Sequence, residues 1–199
     1  MALFSRFSRT LIVGRSASGK SVLTNCIINR RKELFPTKID KVFYISPRPV
    51  STITARGVKF MKTLPTEIPQ NSLIIVDDAM LNEEILKETA QISIRDIHHT
   101  NSHLIVIVQR LYVQNQHYRV IMDQMTHIIL FKLTKGFNTL SRFVSDAFPS
   151  SHKDYFWSSY NQAVNKPFSH LMVDISGESK IDECLYSDIC GTRTRYIKK

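Results

Sequence analysis

Eight residues near the start of the chain have the types and spacing of a phosphate-binding loop. They satisfy every fixed position of the pattern G-x-x-x-x-G-K-[ST]. The residues are Gly14, Arg15, Ser16, Ala17, Ser18, Gly19, Lys20 and Ser21. An apolar run at residues 10–13 precedes the loop and a helix-like segment follows it, which is the context that the pattern requires. The sequence therefore predicts a site for the phosphates of a nucleotide.

The chemistry of phosphate binding explains these residue types. Backbone N–H groups must wrap the phosphates, so the loop needs glycines, which adopt unusual dihedral angles and let the chain approach closely. Lys20 is predicted to reach the β- and γ-phosphates, and Ser21 is predicted to hold Mg²⁺. The helix that follows would offer its positive N-terminus to the anion.

A second candidate site is a pair of acids directly after an apolar strand. Residues 72–76 read Ser-Leu-Ile-Ile-Val, and Asp77 and Asp78 follow them. We predict that Asp77 holds Mg²⁺, directly or through water, and that Asp78 orients or deprotonates the attacking water. The structural alternative is a buried strand followed by a helix N-terminus, where acids are favoured in any protein.

A polar amide, Gln109, ends the fully apolar run at residues 104–108. At the tip of a buried parallel strand it would point to the carboxyl edge of the sheet, where the phosphates are expected. We predict that Gln109 senses the γ-phosphate or holds the water. The alternative is a glutamine that only caps a strand end.

The order of elements predicts an α/β fold with a mainly parallel central sheet in a three-layer α/β/α sandwich, the P-loop NTPase arrangement. The predicted strands are 10–13, 41–46, 72–76, 104–108, 127–132 and 170–175, the last at a sheet edge. The predicted helices are 20–34, 82–97, 138–147 and 154–164. Aromatic residues in the last of these helices are more typical of a core than of a platform for bases.

Composition limits the remaining possibilities. The 199 residues suit one domain, 1–199, with a basic tail at about 191–199 that is either solvated or in contact with DNA. The net charge of +10 favours a polyanionic partner, although many basic proteins bind no nucleic acid. We predict no membrane-spanning segment and no signal peptide. Three widely spaced cysteines, at 26, 184 and 190, indicate neither a disulfide framework nor a zinc site. We therefore predict a reducing, intracellular setting.

Taken together, the loop, the Leu-Ile-Ile-Val-Asp-Asp run at 73–78 and the block from His98 to Gln109 resemble a known family. These motifs are similar to those of the genome-packaging ATPases of double-stranded DNA viruses, of the poxvirus, polinton and virophage type. This group lies in the FtsK/HerA branch of P-loop ATPases. The segment at 165–174, Asn-Lys-Pro-Phe-Ser-His-Leu-Met-Val-Asp, resembles the closing strand of the family. The resemblance covers about residues 10–190.

The resemblance implies a RecA/FtsK-HerA-like fold and an ATPase that moves double-stranded DNA into a capsid. It implies a homo-oligomeric ring of five or six subunits, a capsid or portal partner, and action in an infected cell or virion, without secretion. Family members often carry an arginine just before the histidine block, where this chain has His98. We therefore predict Arg95 as the catalytic arginine supplied to the neighbouring subunit, with Arg110 as the second choice, both near the carboxyl edge of the sheet. The alternative functions are a P-loop nucleoside or nucleotide kinase and a basic binding protein that is regulated by nucleotide.

Overall fold

The computed structural model describes residues 2–48, 50–78 and 82–198. Its strands are β1 (Arg9–Val13), β2 (Lys41–Ile45), β3 (Val58–Met61), β4 (Ser72–Asp77), β5 (His103–Val108), β6 (His127–Phe131), β7 (His170–Asp174), β8 (Leu185–Ser187) and β9 (Thr194–Tyr196). Its helices are α1 (Lys20–Asn29), α2 (Arg31–Leu34), α3 (Glu83–Ile94), α4 (Asp96–His99), α5 (Gln116–Asp123), α6 (Phe137–Ala147) and α7 (Lys153–Ala163). Within these ranges, no helix has the length and apolar character that a membrane crossing needs.

All of these strands belong to one sheet, in the order β3-β2-β4-β5-β1-β6-β7-β8-β9. The pairs from β3 to β6 are parallel, whereas β7, β8 and β9 each pair antiparallel with the strand before them. The carboxyl ends of β4, β5, β1 and β6 therefore lie along one border of the sheet, which we call the carboxyl edge. The opposite border is the amino edge.

Side chains alternate between two cores because successive residues of a strand point to opposite faces. Leu11 and Ile74 pack with α3, α5, α6 and α7 on one face. Ile12 and Ile75 pack with α1 on the other face. Every residue of β5 is buried, as expected for a strand covered on both faces, and this explains its continuous apolar sequence. The predicted α/β/α sandwich with a mainly parallel sheet is confirmed.

Several element boundaries differ from the predictions. The predicted helix 20–34 is interrupted at Arg30, whose backbone leaves the helical region at φ −98° and ψ 17°. The predicted helix 82–97 is likewise divided into α3 and α4. Strands β3, β8 and β9 and helix α5 were not predicted. The strand at His170–Asp174 is not at the sheet edge, because β8 and β9 continue the sheet beyond it.

The basic C-terminal tail is partly an ordered strand. Thr194–Tyr196 forms β9 and pairs with β8, and the guanidinium of Arg195 lies 2.7 Å from the carboxylate of Glu183. Most of residues 191–198 are nevertheless exposed, so a largely solvated tail is not contradicted. A contact between the tail and DNA stays a prediction.

The spacing of the cysteines predicted no disulfide framework, and that prediction is wrong for one pair. Cys26 on α1 and Cys190 form a disulfide, with Cα atoms 6.3 Å apart. The two residues are 164 positions apart, so spacing gave no signal; the fold brings the C-terminal segment against α1 on the same face of the sheet. Cys184 is buried and free. The disulfide removes the basis on which a reducing setting was predicted.

Candidate nucleotide site

The phosphate-binding loop lies at the carboxyl edge, between the end of β1 and the start of α1. Gly14 donates its N–H to the carbonyl of Val108, which fixes the loop to the end of the neighbouring strand β5. A Cβ on Gly14 would lie 2.5 Å from Ser18 Oγ and 2.9 Å from Phe131 Cβ, so only glycine fits. Gly19 has a φ of +102°, which is strained for other residues. Both fixed glycines are thus required by this loop conformation.

Lys20 is held within the loop at the first position of α1. Its Nζ donates to the carbonyls of Gly14 and Arg15 at 2.7 and 2.8 Å. Burial lowers the pKa of Lys20, and the charges of Asp77 and Asp78 oppose that shift. Both carboxylates therefore act on the same ammonium group, although they are more than fifty residues further along the chain. Ser21 lies one residue further into α1, at its N-terminal end.

The register of the sheet explains why Asp77 is close to the loop. Asp77 pairs with Ile107 of β5, and Ile107 pairs with Ile12 of β1, so the three residues form one row across the sheet. Neighbouring strands are about 4.8 Å apart, which separates β4 from β1 by about 10 Å. The end of β5 therefore lies between Asp77 and the strand that leads into the loop.

A buried tyrosine holds the Asp77 carboxylate. The hydroxyl of Tyr44, on the adjacent strand β2, donates to Asp77 Oδ2 at 2.6 Å. Burial raises the pKa of Asp77, and the Tyr44 hydrogen bond and the charge of Lys20 oppose that shift. Tyr44 could not be predicted as a site residue, because in the sequence it is only one position of an apolar strand. The β2–β4 register, in which Tyr44 pairs with Ile75, brings its hydroxyl to Asp77.

Asp78 and Gln109 also meet at the carboxyl edge. Each follows directly after the last residue of a strand. Gln109 Nε2 lies 3.5 Å from Asp78 Oδ1, a long and weak hydrogen bond. Asp78 has a φ of +56°, a left-handed conformation in which aspartate is enriched among non-glycine residues. The structure thus brings together the two side chains that were predicted to act on the attacking water.

A basic cavity of about 610 Å³ opens beside Gln109 and the loop. Arg110 and Lys135 line it together with Arg15, whose Nη1 donates to Thr134 Oγ1 at 2.7 Å. Arg110 is exposed. It therefore offers a cation at the carboxyl edge, as was predicted for the second-choice arginine.

Arg95 is not at the carboxyl edge, and that part of the prediction is wrong. Helix α3 carries the chain back along the sheet, so its end lies at the amino edge. There, Arg9 Nε at the start of β1 donates to the carbonyl of Ser93 at 2.5 Å. Arg95 itself is a surface residue whose Nε pairs with Asp96 Oδ1 at 2.9 Å. The length of β1 alone separates it from the loop by about 13 Å.

No protein-family model matches the sequence, and no curated protein matches it. Several solved structures are similar to this chain in fold. The genome-packaging NTPase B204 of Sulfolobus turreted icosahedral virus 2, in complex with sulfate, aligns with a TM-score of 0.59 at 16% identity, over 98% of both chains. The same protein in complex with ATP-gammaS aligns with a TM-score of 0.52 at 15% identity, over 96% of this chain and 97% of that one. The cytoplasmic domain of the type VII secretion ATPase EccC of Thermomonospora curvata gives 0.50 at 11% identity, over 97% of this chain and 25% of that one.

This chain has the fold of those ATPases. The alignment with B204 spans both chains almost end to end. Identities of this size show the fold alone.

Proposed function

We propose that this protein is an ATPase that drives double-stranded DNA into a viral capsid. The observation that carries the proposal is the convergence of Lys20, Asp77, Asp78 and Gln109 at the carboxyl edge, directly beside the loop. The full-length likeness to a protein described as a genome-packaging NTPase supports the choice within P-loop proteins.

The residues fit a magnesium nucleotide. Carboxylate and hydroxyl oxygens are the ligands that Mg²⁺ prefers, and Asp77 and Ser21 supply one of each. Burial penalises the negative charge of Asp77, as its raised pKa shows, so a bound cation would offset a cost that the fold already bears. Bound there, Mg²⁺ would neutralise charge on the β- and γ-phosphates.

Each residue then has one task in hydrolysis. The loop from Gly14 to Ser21 wraps the phosphates with its N–H groups, and Lys20 turns from the loop carbonyls to the phosphate oxygens. Asp78 accepts the proton of the attacking water or orients that water, and Gln109 holds it from the neighbouring strand end. No covalent intermediate on the protein is needed.

A neighbouring subunit supplies the remaining charge in this proposal. Ring motors place an arginine from one subunit at the γ-phosphate of the next, and such arginines contribute about 10³ or more in rate. Arg110 is the residue of this chain that we assign to the role, since it is exposed at the carboxyl edge. The ring of five or six subunits, the capsid or portal partner and the site of action in the infected cell or virion follow from the same proposal.

ATP turnover tests the proposal directly. We expect hydrolysis that long duplex DNA stimulates, with little dependence on sequence, because the +10 charge favours contacts with the phosphate backbone. The logarithm of DNA affinity should fall with the logarithm of salt by about 0.9 per phosphate contact. Lys20→Ala should abolish turnover. The control is Lys59→Ala, which should leave turnover unchanged because it removes the same charge from β3, the outermost strand on one side of the sheet.

Other outcomes would contradict the motor. Phosphate transfer to thymidine or AMP, with no stimulation by DNA, would indicate the nucleoside or nucleotide kinase. DNA binding with no hydrolysis would indicate a nucleotide-regulated binding protein.

The trans assignment has its own test and a matched control. Arg110→Ala subunits and Lys20→Ala subunits should each be inactive and should regain activity when mixed, because some interfaces then join an intact site to an intact arginine. Arg95→Ala should keep full activity, since it removes the same charge from the amino edge. Normal DNA-stimulated turnover by Arg110→Ala alone would exclude the assignment.

A further inference from the structure

Phe168 has both an exposed side chain and an unfavourable backbone conformation. It is 70% exposed, although burial of a phenylalanine is among the most favourable contributions a side chain makes to folding. Its φ is +63°, which is rare for a bulky residue. Strained backbone of this kind clusters at sites that bind ligands, so two independent costs fall on one side chain.

The strained turn is held in place beside the phosphate-binding loop. Residues 166–169 form the turn before β7, closed by Ser169, whose Oγ and N–H both donate to the Lys166 carbonyl, at 2.6 and 3.3 Å. A Cβ on Gly19 would lie 3.3 Å from both Cβ and Cδ1 of Phe168. The ring therefore packs against the loop glycine that precedes Lys20.

A cavity of about 350 Å³ opens between this turn and the loop. Ala17, Ser18 and Phe131 form one side of it, and Asn165 and Phe168 form the other. This volume is at the lower end of the range for small-molecule sites. The cavity lies on the β6 and β7 side of the loop, away from Asp77 at the end of β4 and from Asp78 after it. In the proposed function this is the side opposite to the terminal phosphate.

We propose that this cavity holds the base of the bound nucleotide and that Phe168 is the surface on which the base stacks. The proposal rests on the proposed function, because it assumes phosphates on residues 14–21. A nucleotide with its γ-phosphate toward Asp77 must extend its nucleoside in the opposite direction, and the exposed ring of Phe168 lies there.

Stacking recognises the area of a base more than its hydrogen-bonding pattern, since every base has a π-face. The larger purines should therefore bind better than the pyrimidines. We expect ATP and GTP to bind with similar affinity, and both to bind more tightly than CTP and UTP.

Two ligands separate the base from the phosphates: ATP and inorganic tripolyphosphate, each titrated calorimetrically with Mg²⁺ present. Phe168→Ala should weaken ATP binding by about 5- to 150-fold, the range for loss of one base–aromatic contact. Its affinity for tripolyphosphate should stay that of the parent protein. Phe168→Trp should bind ATP at least as well as the parent. Ile94→Ala, which removes an exposed apolar side chain at the amino edge, is the control and should change neither affinity.

Backbone strain and stacking are separated by Phe168→Gly. Glycine accepts a φ of +63° without cost, so this variant should be at least as stable as Phe168→Ala and yet bind ATP as weakly. Recovery of ATP affinity in Phe168→Gly would mean that strain, and not the ring, controls binding, and would overturn the proposal.

The remaining outcomes are also decisive. Equal weakening of ATP and tripolyphosphate by Phe168→Ala would show that the ring only supports the loop. Unchanged ATP affinity would assign the ring to a subunit or DNA contact. Failure of the parent protein to bind either ligand would instead overturn the proposed function itself.

Discussion

Removal of the Tyr44 hydroxyl isolates one interaction at the proposed magnesium ligand. Tyr44 is fully buried, and its hydroxyl donates to Asp77 Oδ2 at 2.6 Å. Phenylalanine keeps the ring, so Tyr44→Phe removes the hydrogen bond with little change in packing. Any effect on Mg²⁺ would then show that Tyr44 positions Asp77, since the tyrosine itself is not a predicted ligand.

The size of the effect follows from the charge of the acceptor. A hydrogen bond to a charged group contributes about 1.5–3 kcal/mol, and because Asp77 is partly accessible we take about 1.5–2 kcal/mol. For a domain of this size, 1 kcal/mol shifts Tm by about 2–4 °C, so we expect a loss of about 3–8 °C. The loss should shrink at lower pH, because this hydrogen bond favours ionised Asp77 and lowers its pKa.

Two assays measure the consequences: thermal unfolding without nucleotide, and ATP turnover as a function of Mg²⁺ concentration. Loss of a partner that orients a metal ligand costs about 10- to 100-fold in metal affinity or activity. The Mg²⁺ concentration for half-maximal turnover should therefore rise by up to that factor.

Tyr155→Phe is the matched control. The Tyr155 hydroxyl donates to the backbone carbonyl of Tyr196 at 2.9 Å, at the β9 end of the sheet. It should lower Tm by about 1–6 °C, as expected for a neutral hydrogen bond of about 0.5–1.5 kcal/mol, and leave the Mg²⁺ dependence unchanged. The same Mg²⁺ dependence in Tyr44→Phe as in the parent protein would refute the positioning role.

Three further predictions concern catalysis, pH and the disulfide. Asp78→Asn should bind ATP but hydrolyse it more slowly than the parent protein, by a factor of about 10² or more. Turnover at the parental rate would exclude a catalytic role for Asp78 and leave Asp77 as the only functional acid of the pair. Burial lowers the pKa of His103 and of His170 from 6.5 to about 4, so both stay neutral in the folded protein while the unfolded chain takes up protons. Stability should therefore fall between pH 6.5 and 4, by about 2 kcal/mol per histidine at pH 5, and a Tm that is the same at pH 7.5 and 5 would contradict this. Reduction of the Cys26–Cys190 disulfide should cost about 2–4 kcal/mol, and Cys26→Ser should show the same Tm with and without reductant.

The parts of the site that follow from local pattern could be predicted from the sequence. The loop is contiguous, so its spacing alone identifies Gly14 and Lys20. Strands β4 and β5 are buried on both faces, which makes them continuous apolar runs with visible ends. Asp77 is the last residue of β4, and Gln109 comes directly after β5. Because parallel strands end at the same edge of a sheet, both residues can be assigned to the carboxyl edge without knowledge of the full topology.

Elements without a strong pattern could not be predicted. Strand β3 is the outermost strand on one side of the sheet, and two of its four residues are exposed. Its sequence therefore lacks the continuous apolar run of a buried strand. Helix α5 is mostly polar and buries only Tyr118 and Ile121. Strands β8 and β9 have three residues each, which is too short for an alternation to be recognised. Their formation depends on tertiary pairing with β7.

The direction of the chain explains the wrong placement of Arg95 and also why Phe168 was not predicted beside the loop. In a parallel sheet a helix returns the chain to the amino edge, so a residue far beyond a strand end, such as Arg95, is carried away from the site. Arg110 stays because it is two residues past β5. The reverse holds for β7, which runs antiparallel to β6, so its first residue, His170, pairs with Phe131 at the carboxyl edge. The turn before β7 therefore lies beside the loop, and Phe168 reaches the site through a reversal of strand direction that the sequence does not show.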